Sequence, residues 1–249
     1  MGICACTERA ELTPDDTARL PATRFLSEVT GNNGYARVLY PKKFQFPQDH
    51  GSHPEYRTEW WYFTGNLEGA RARHYGFELA FFRYALKADE AEGTSAWRTN
   101  QAWMAHFALT DTQGNKFFAD ERLSREAIGL AGNQRAPFRV WVEDWSATSE
   151  GTEFLPIHLK AGNENAKLDL TLVSSKPPIA NGDRGMDRKG PEPGNASYYY
   201  SLTRLQAIGT VQVGSLEEAV TGFAWMDREW GTSTLSDDLE GWDWFSVQL

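Results

Sequence analysis

The sequence lacks the residues that several protein classes require. Its 249 residues include only two cysteines, Cys4 and Cys6, both at the N-terminus, so the body holds neither a disulfide framework nor a cysteine-based zinc site. No apolar run approaches the roughly eighteen residues of a membrane-spanning helix. The net charge is −9, whereas nucleic-acid binding needs a basic face. We therefore expect no nucleic-acid partner.

The N-terminus offers a weak targeting signal. The residues Ile3–Cys6 look like the end of a bacterial lipoprotein signal, whose final cysteine carries the lipid, but the charged and apolar regions that should precede it are missing. Either the true start lies upstream, or this is a cytoplasmic N-terminus with two exposed thiols. We favour the first reading. It predicts a periplasmic or secreted protein, with membrane association through a lipidated cysteine and residues 1–34 as leader or linker.

The rest of the chain alternates apolar and polar residues with a period of two, which indicates strands with one buried face. The clearest cases are Glu59–Leu67, His74–Leu86 and Gln101–Asp111. Further strands are predicted at Tyr35–Tyr40, Lys116–Leu123, Phe138–Asp144, Glu153–Lys160, Lys167–Val173, Tyr198–Val213 (a long strand), Ala219–Trp230 and Trp242–Leu249. Strands and helices do not alternate, so we predict an all-β fold, most simply an antiparallel barrel with a ligand mouth.

The segments 222–231 and 241–249 bring tryptophans and acids close together in sequence. In a strand, Trp225, Asp227 and Glu229 share one face, whereas Arg228 and Trp230 lie on the other. We interpret this pattern in two ways. It predicts a hollow, ring-lined barrel interior into which an acidic group projects, or a packed core whose acids pair with Arg228. An aromatic wall would raise the pKa of a carboxyl by desolvation, and its ring faces would stabilise a cation.

Several motifs, taken in order, resemble those of one family. They are Glu59–Gly65 (EWWYFTG), Met104–Asp111 (MAHFALTD), Phe138–Trp145 (FRVWVEDW), Gly194–Arg204 (GNASYYYSLTR), Trp225–Trp230 (WMDREW) and Gly241–Trp244 (GWDW). Together they resemble the AttH/CrtC group of predicted secreted hydrolases and carotenoid 1,2-hydratase (hydroxyneurosporene synthase) relatives. The resemblance implies two lipocalin-like β-barrels. We expect the first at 35–190 and a truncated start of the second at 191–249.

The resemblance also implies a chemistry. Carotenoid hydratases add water to an isolated C=C bond without a cofactor, so we expect no cofactor and an isoprenoid-like or lipid-like apolar partner. Asp227 matches the acidic residue of that group and becomes the expected proton donor, while Glu229 or His106 would orient the attacking water. The chain departs from the hydratase pattern because Met226 and Arg228, rather than histidines, flank Asp227.

Aromatic residues are the candidate ligand contacts. They are Trp60, Trp61, Tyr199, Trp225, Trp230, Trp242 and Trp244. His50 and His53 lack a third ligand in sequence reach, so we predict no metal site. No Gly-x-Ser-x-Gly motif is present, which argues against a serine hydrolase. A non-catalytic periplasmic carrier and an attachment-related surface protein are the alternatives to an enzyme.

Overall fold

The computed structural model describes residues 34–89, 93–174, 176–233 and 243–247. Within these ranges the chain forms thirteen strands and two one-turn 3-10 helices, Gln48–His50 and Ala70–Ala72. The strands are β1 (Thr58–Glu68), β2 (His74–Ala85), β3 (Gln101–Asp111), β4 (Lys116–Arg125), β5 (Ala131–Arg135), β6 (Phe138–Val142), β7 (Trp145–Ser149), β8 (Ile157–Gly162), β9 (Ala166–Val173), β10 (Ile179–Ala180), β11 (Met186–Arg188), β12 (Ala196–Val213) and β13 (Leu216–Gly231).

The strands form one antiparallel sheet that curls into a nearly closed barrel. Their order is β4-β3-β2-β1-β13-β12-β9-β8-β7-β6-β5, and the short strands β10 and β11 pair with the first half of β12. The all-β, lipocalin-like prediction is confirmed. The two longest strands, β12 and β13, stand side by side at the centre of the sheet and carry most of the candidate site.

The barrel interior is filled with apolar side chains. The inward positions of β1 include Trp61 and Phe63, which pair in register with Arg228 and Met226 of β13. Rings from opposite walls meet in the middle, as Phe107 of β3 and Trp145 of β7 do at 5.8 Å between ring centroids. Within the described residues, these side chains belong to one buried apolar cluster that draws on strands from all around the barrel, which supports a packed interior over a hollow one.

One end of the interior is polar and ionic. Glu59 is fully buried and accepts hydrogen bonds from both Arg83 and Arg228. His53 donates its backbone N–H to the same carboxylate, at 3.0 Å from Oε2, and its ring lies 3.1 Å from Asp49. Burial alone would raise the pKa of Glu59, but the two guanidinium groups lower it overall. The ion network therefore anchors the loop around 49–57 over this end of the barrel.

Several predicted boundaries differ from the structure. Residues 196–231 lie between β1 and β9 in the same sheet, so the boundary expected at 191 does not begin a separate unit. The tight turn at Gly214 (φ 60°) folds β12 and β13 into a long hairpin, which the sequence pattern showed only as two runs. Residues 35–40 and 243–247 carry no strand, and the short strands β5 and β7 were missed.

Two predictions concern parts of the chain that are little described. The predicted leader, including Cys4 and Cys6, lies outside the described residues, as does Trp242. Among the residues that the structure describes, neither helix has the length or apolar character to cross a membrane.

Candidate functional site

The register of the sheet places Asp227 and Glu229 on the outer surface of the barrel. Asp227 lies between Tyr62 of β1 and Ser201 of β12, and Glu229 lies between Trp60 and Tyr199 on the same strands. These positions face away from the apolar core because the alternate residues face into it. We call this group the outer site. It comprises Trp60, Tyr62, Lys189, Ser197, Tyr199, Ser201, Trp225, Asp227, Glu229 and Trp244.

Asp227 is almost completely buried although it lies on the outer surface, with 2% of its area exposed. The indole Nε1 of Trp225 donates to Oδ1 at 2.7 Å, and the indole Nε1 of Trp244 donates to Oδ2 at 2.8 Å. The Ser201 hydroxyl also donates to Oδ1. Both carboxyl oxygens are thus engaged by side chains from three different segments of the chain.

Aromatic rings cover this carboxyl group. The ring of Trp244 contacts Tyr62 at 5.2 Å and Trp225 at 6.5 Å between centroids, in edge-to-face arrangements. Such contacts hold the ring positions firmly. Burial raises the pKa of Tyr62 to about 12, so its hydroxyl remains protonated at neutral pH. The side chains around Asp227 therefore present apolar ring faces together with uncharged N–H and O–H groups.

Opposing effects act on the ionisation of Asp227. Burial raises the pKa of its carboxyl above the ordinary value, because the charged form loses its hydration. The hydrogen bonds from Ser201, Trp225, Tyr199 and Trp244 lower it, but the net direction is upward. A carboxyl with a raised pKa in an aromatic wall has the properties of a general acid.

Glu229 has a different partner. The Lys189 ammonium lies 2.6 Å from Glu229 Oε1, and the Ser197 hydroxyl donates to the same oxygen. Lys189 also contacts Asp187 at 2.7 Å. It follows β11, whose pairing with β12 carries it to the outer site. The two carboxyl groups of β13 therefore share a face but not an electrostatic environment.

The structure brings together only some of the predicted site residues. Asp227, Glu229, Trp60, Tyr199, Trp225 and Trp244 lie in the outer site. Trp61 and Trp230 do not, because strand alternation turns both into the barrel. There Trp61 stacks on Trp103, and Trp230 stacks on His53 at 3.9 Å between ring centroids. Neither ring can line a pocket with Asp227.

His106 shares the outer face but lies away from Asp227. The register aligns Asp227, Tyr62, Ala80 and His106 on neighbouring strands, so His106 is three strand spacings, or about 14 Å, from the acid. Its ring contacts Glu121 at 3.0 Å. At that distance His106 cannot orient a water molecule against a carbon that Asp227 protonates, and we assign it no role in the outer site.

Four members of the outer site, Tyr62, Lys189, Ser197 and Ser201, were not among the residues predicted from the sequence. Ser201 and Tyr62 are the register partners of Asp227, and no signal short of strand pairing identifies them. Lys189 lies in a charged, glycine-rich segment, residues 183–190, that has no alternation of apolar and polar residues. Its contact with Glu229 depends on the short pairing of β11 with β12.

The outer site has no metal-binding cluster among the described residues, and a large cleft of the structure lies apart from it. Within the described residues, no three or more His, Cys, Asp or Glu side chains are grouped so as to hold a metal ion. A cleft of about 700 Å³ lies elsewhere, between the turn after β8 and the β12–β13 hairpin, and it is lined largely by charged residues such as Arg122, Lys160 and Glu217.

Comparison with known proteins agrees with this description. The family model described as AttH-like matches residues 37–249. A crystal structure of an AttH protein from Nitrosomonas europaea shares 33% sequence identity, with a TM-score of 0.71 over 82% of this chain and 60% of that chain. The structure of kievitone hydratase from Nectria haematococca is 13% identical, with a TM-score of 0.58 over 81% of this chain and 56% of that one, and supports the fold alone.

A shorter sequence match involves the same kind of protein. Kievitone hydratase of Fusarium solani subsp. phaseoli is 28% identical over 93 residues, which is 36% of this chain and 25% of that protein. The chain thus spans less than two thirds of each of these relatives.

Fold and site together define a class: a lipocalin-like β-barrel protein whose aromatic and acidic residues gather on the outside of the barrel. The family follows from the match over residues 37–249. This chain belongs to the AttH-like family, and the resemblance expected from its motifs is confirmed.

Proposed function

We propose that this chain carries the proton donor of a cofactor-free hydratase that acts on a C=C bond of an apolar, isoprenoid-like small molecule. The observation that carries the proposal is the buried carboxyl of Asp227 beneath the indoles of Trp225 and Trp244. An exposed, fully ionised carboxylate could not protonate an alkene. A carboxyl whose pKa is raised by burial is suited to do so.

The surrounding residues suit the later stages of such a reaction. Protonation of an alkene leaves a carbocation, which the faces of aromatic rings stabilise. Tyr62, Tyr199, Trp225 and Trp244 supply those rings around the acid. Water then adds to the cation, and none of these steps requires a metal or an organic cofactor.

The relatives support the reaction class more than the substrate. Two of them are named kievitone hydratase, and one shares 28% identity over part of this chain. We therefore propose a small hydrophobic substrate and leave its exact structure to be found by screening. The filled barrel disfavours the alternative of a carrier that holds its ligand inside, as lipocalins do.

The test is incorporation of ¹⁸O from labelled water into a panel of isoprenoid-like compounds and kievitone, followed by mass spectrometry. We expect label in one or more products, and a rate at least about 100-fold lower in Asp227→Asn, the loss typical of a removed general acid. The matched control is Asp169→Asn, at a half-exposed aspartate of β9 that pairs with His158 and lies in register with Thr210, nine residues along β12 from Ser201.

Two outcomes would contradict the proposal. An unchanged rate in a folded Asp227→Asn protein would remove Asp227 from the chemistry. Saturable quenching of tryptophan fluorescence by these compounds, with no turnover of any of them, would instead indicate a binding protein.

A further inference from the structure

Glu229 and Asp227 form an unequal pair on one strand. They are two residues apart on the outer face of β13, which separates their Cα atoms by about 6.7 Å in an extended strand. Residues two apart in a strand project from the same face, so the two carboxyl groups lie on one side of the sheet.

Lys189 distinguishes the two carboxyl groups. Its ammonium lies against Glu229 at 2.6 Å, whereas Asp227 is surrounded by neutral donors from indole and hydroxyl groups. Its ammonium also lies 5.7 Å from the ring centroid of Tyr199, the register partner of Glu229 on β12. The cationic side chain of Lys189 therefore lies beside Glu229, whereas the hydrogen-bond donors to Asp227 are uncharged.

The groups that face Glu229 come from four elements. Lys189 and Asp187 approach from β11 and the residue after it, Ser197 and Tyr199 from β12, Trp60 from β1, and Asp227 from β13 itself. Burial raises the pKa of Glu229 above its ordinary value. The charge of Lys189 and the hydrogen bonds from Lys189 and Ser197 lower it, the negative charge of Asp187 raises it, and the net direction is upward. Burial lowers the pKa of Lys189, but Glu229 and Asp187 outweigh that effect and raise it, so the ammonium keeps its charge.

Building on the proposed function, we propose that Lys189 is a positioning residue that holds Glu229 as a carboxylate, and that Glu229 is the base of the hydration. Asp227 would then donate a proton to the alkene as the acid, and Glu229 would accept a proton from the water as the base. This assignment replaces His106, which lies too far from Asp227 to activate the same water.

The proposed hydration conserves atoms and protons. The carboxylic acid of Asp227 transfers its proton to one alkene carbon, which forms a C–H bond and leaves a carbocation and the Asp227 carboxylate. The water oxygen forms the C–O bond to the cation, and its surplus proton passes to the Glu229 carboxylate. Return of one proton from Glu229 to Asp227, directly or through solvent, restores the starting state. The sum is alkene plus water giving alcohol.

The experiment measures the titration of Glu229 directly. Carboxyl ¹³C chemical shifts of protein labelled at glutamate would be followed against pH, and the Glu229 signal identified by its absence in Glu229→Gln. Loss of an opposite charge within about 4 Å raises a carboxyl pKa by roughly one unit or more. We therefore expect the Glu229 midpoint to rise by at least that much in Lys189→Met and to return in Lys189→Arg.

The controls separate a local effect from a general one. Lys87→Met removes an exposed lysine beyond the end of β2 and should leave the Glu229 midpoint unchanged. Lys189→Gln serves as a second variant if Lys189→Met does not fold. An identical Glu229 midpoint in the wild type and in folded Lys189→Met or Lys189→Gln would overturn the proposal.

Failure of this proposal is distinguishable from failure of the proposed function, because the titration needs no substrate. If hydration is observed, its rate should begin to rise at a higher pH in Lys189→Met, by the same shift as the Glu229 midpoint. A shifted midpoint with an unchanged pH–rate profile would show that Lys189 holds Glu229 but that Glu229 is not the base.

Discussion

Asp227 and Arg228 are neighbours in the chain, yet they lie on opposite faces of β13. The carboxyl of Asp227 bonds to Ser201, Trp225 and Trp244 on the outer surface. The guanidinium of Arg228 points inward, where it bonds to Glu59 and donates to the carbonyl of Gly51 at 2.6 Å. Arg228 therefore does not pair with Asp227. The Trp225–Trp230 segment carries its candidate chemistry on one face and its anchoring contacts on the other.

Arg228 should be important for stability. Replacement by methionine would leave Glu59 with one guanidinium instead of two and remove the stacking of Arg228 on Trp61, whose ring centroid is 3.9 Å away. Breaking a buried ion pair from one side typically costs about 3–5 kcal/mol. We expect a loss of that size in the free energy of unfolding of Arg228→Met, measured by urea denaturation.

The matched control is Arg139→Met. Arg139 also lies over an indole, that of Trp141, but on the exposed side of β6. Its removal should change the free energy of unfolding by less than about 1 kcal/mol. Equal losses in the two variants would show that the buried network contributes no more than a surface contact.

Replacing the adjacent residues Trp60 and Trp61 one at a time should affect binding in one case and stability in the other. Trp61 is fully buried, stacks on Trp103 and donates its indole N–H to the His50 carbonyl at 2.8 Å. Trp61→Ala should lower the free energy of unfolding by about 3–5 kcal/mol. Trp60 is partly exposed in the outer site, so Trp60→Ala should cost far less and should instead weaken the binding of apolar compounds. Urea denaturation and fluorescence titration measure the two effects, and a reversed order would contradict the assigned faces.

The faces of the strands followed from the sequence, because alternation is a local property. The alternation alone placed Asp227 and Glu229 on one face of the strand and Arg228 and Trp230 on the other, without knowledge of how the strands pair. The pattern could not decide which face turns inward, since both faces of β13 carry tryptophans and charges. That choice depends on the whole barrel, whose interior accepts Arg228 only because Glu59, His53 and the carbonyl of Gly51 are there to pair with it.

The partners of the candidate acid were less predictable. Ser201 and Tyr62 meet Asp227 through the registers of two different strand pairs, at separations of 26 and 165 residues. Lys189 reaches Glu229 from a segment without strong strand propensity, which pairs with β12 over only three residues. Such contacts are set by register and loop geometry, which composition and periodicity do not encode. The sequence consequently pointed to the candidate acid but not to its electrostatic environment.

His50 should make the protein sensitive to mild acid. Its ring is stacked between Phe46 and Phe154 and lies 2.6 Å from the Tyr200 hydroxyl. Burial, followed by the charge of Arg228, lowers its pKa from 6.5 to about 3. Between these values the unfolded chain binds a proton that the folded protein does not, so stability falls as the pH decreases from 6.5 towards 3.

The measurement is the free energy of unfolding at pH 7, 5.5 and 4.5 for the wild type and His50→Gln. We expect the wild type to lose more stability than the variant over this range, whatever their difference at pH 7. NMR should also show no protonation of the His50 imidazole above about pH 4. An imidazole that titrates near 6.5 would contradict the buried, neutral state.

Trp244 should adjust the acidity of Asp227. Its indole N–H is 2.8 Å from Oδ2, and a donor at that distance stabilises the carboxylate over the acid. Trp244→Phe keeps a ring against Tyr62 but removes the donor, so the pKa of Asp227 should rise. Carboxyl ¹³C titration of aspartate-labelled protein measures the shift, with Asp227→Asn identifying the signal. Trp141→Phe, which removes an indole donor to the Gly129 carbonyl far from the outer site, is the matched control. Because the remaining donors and the burial of Asp227 stay in place, an unchanged or lower midpoint in Trp244→Phe would mean that this indole does not bond to the acid in solution.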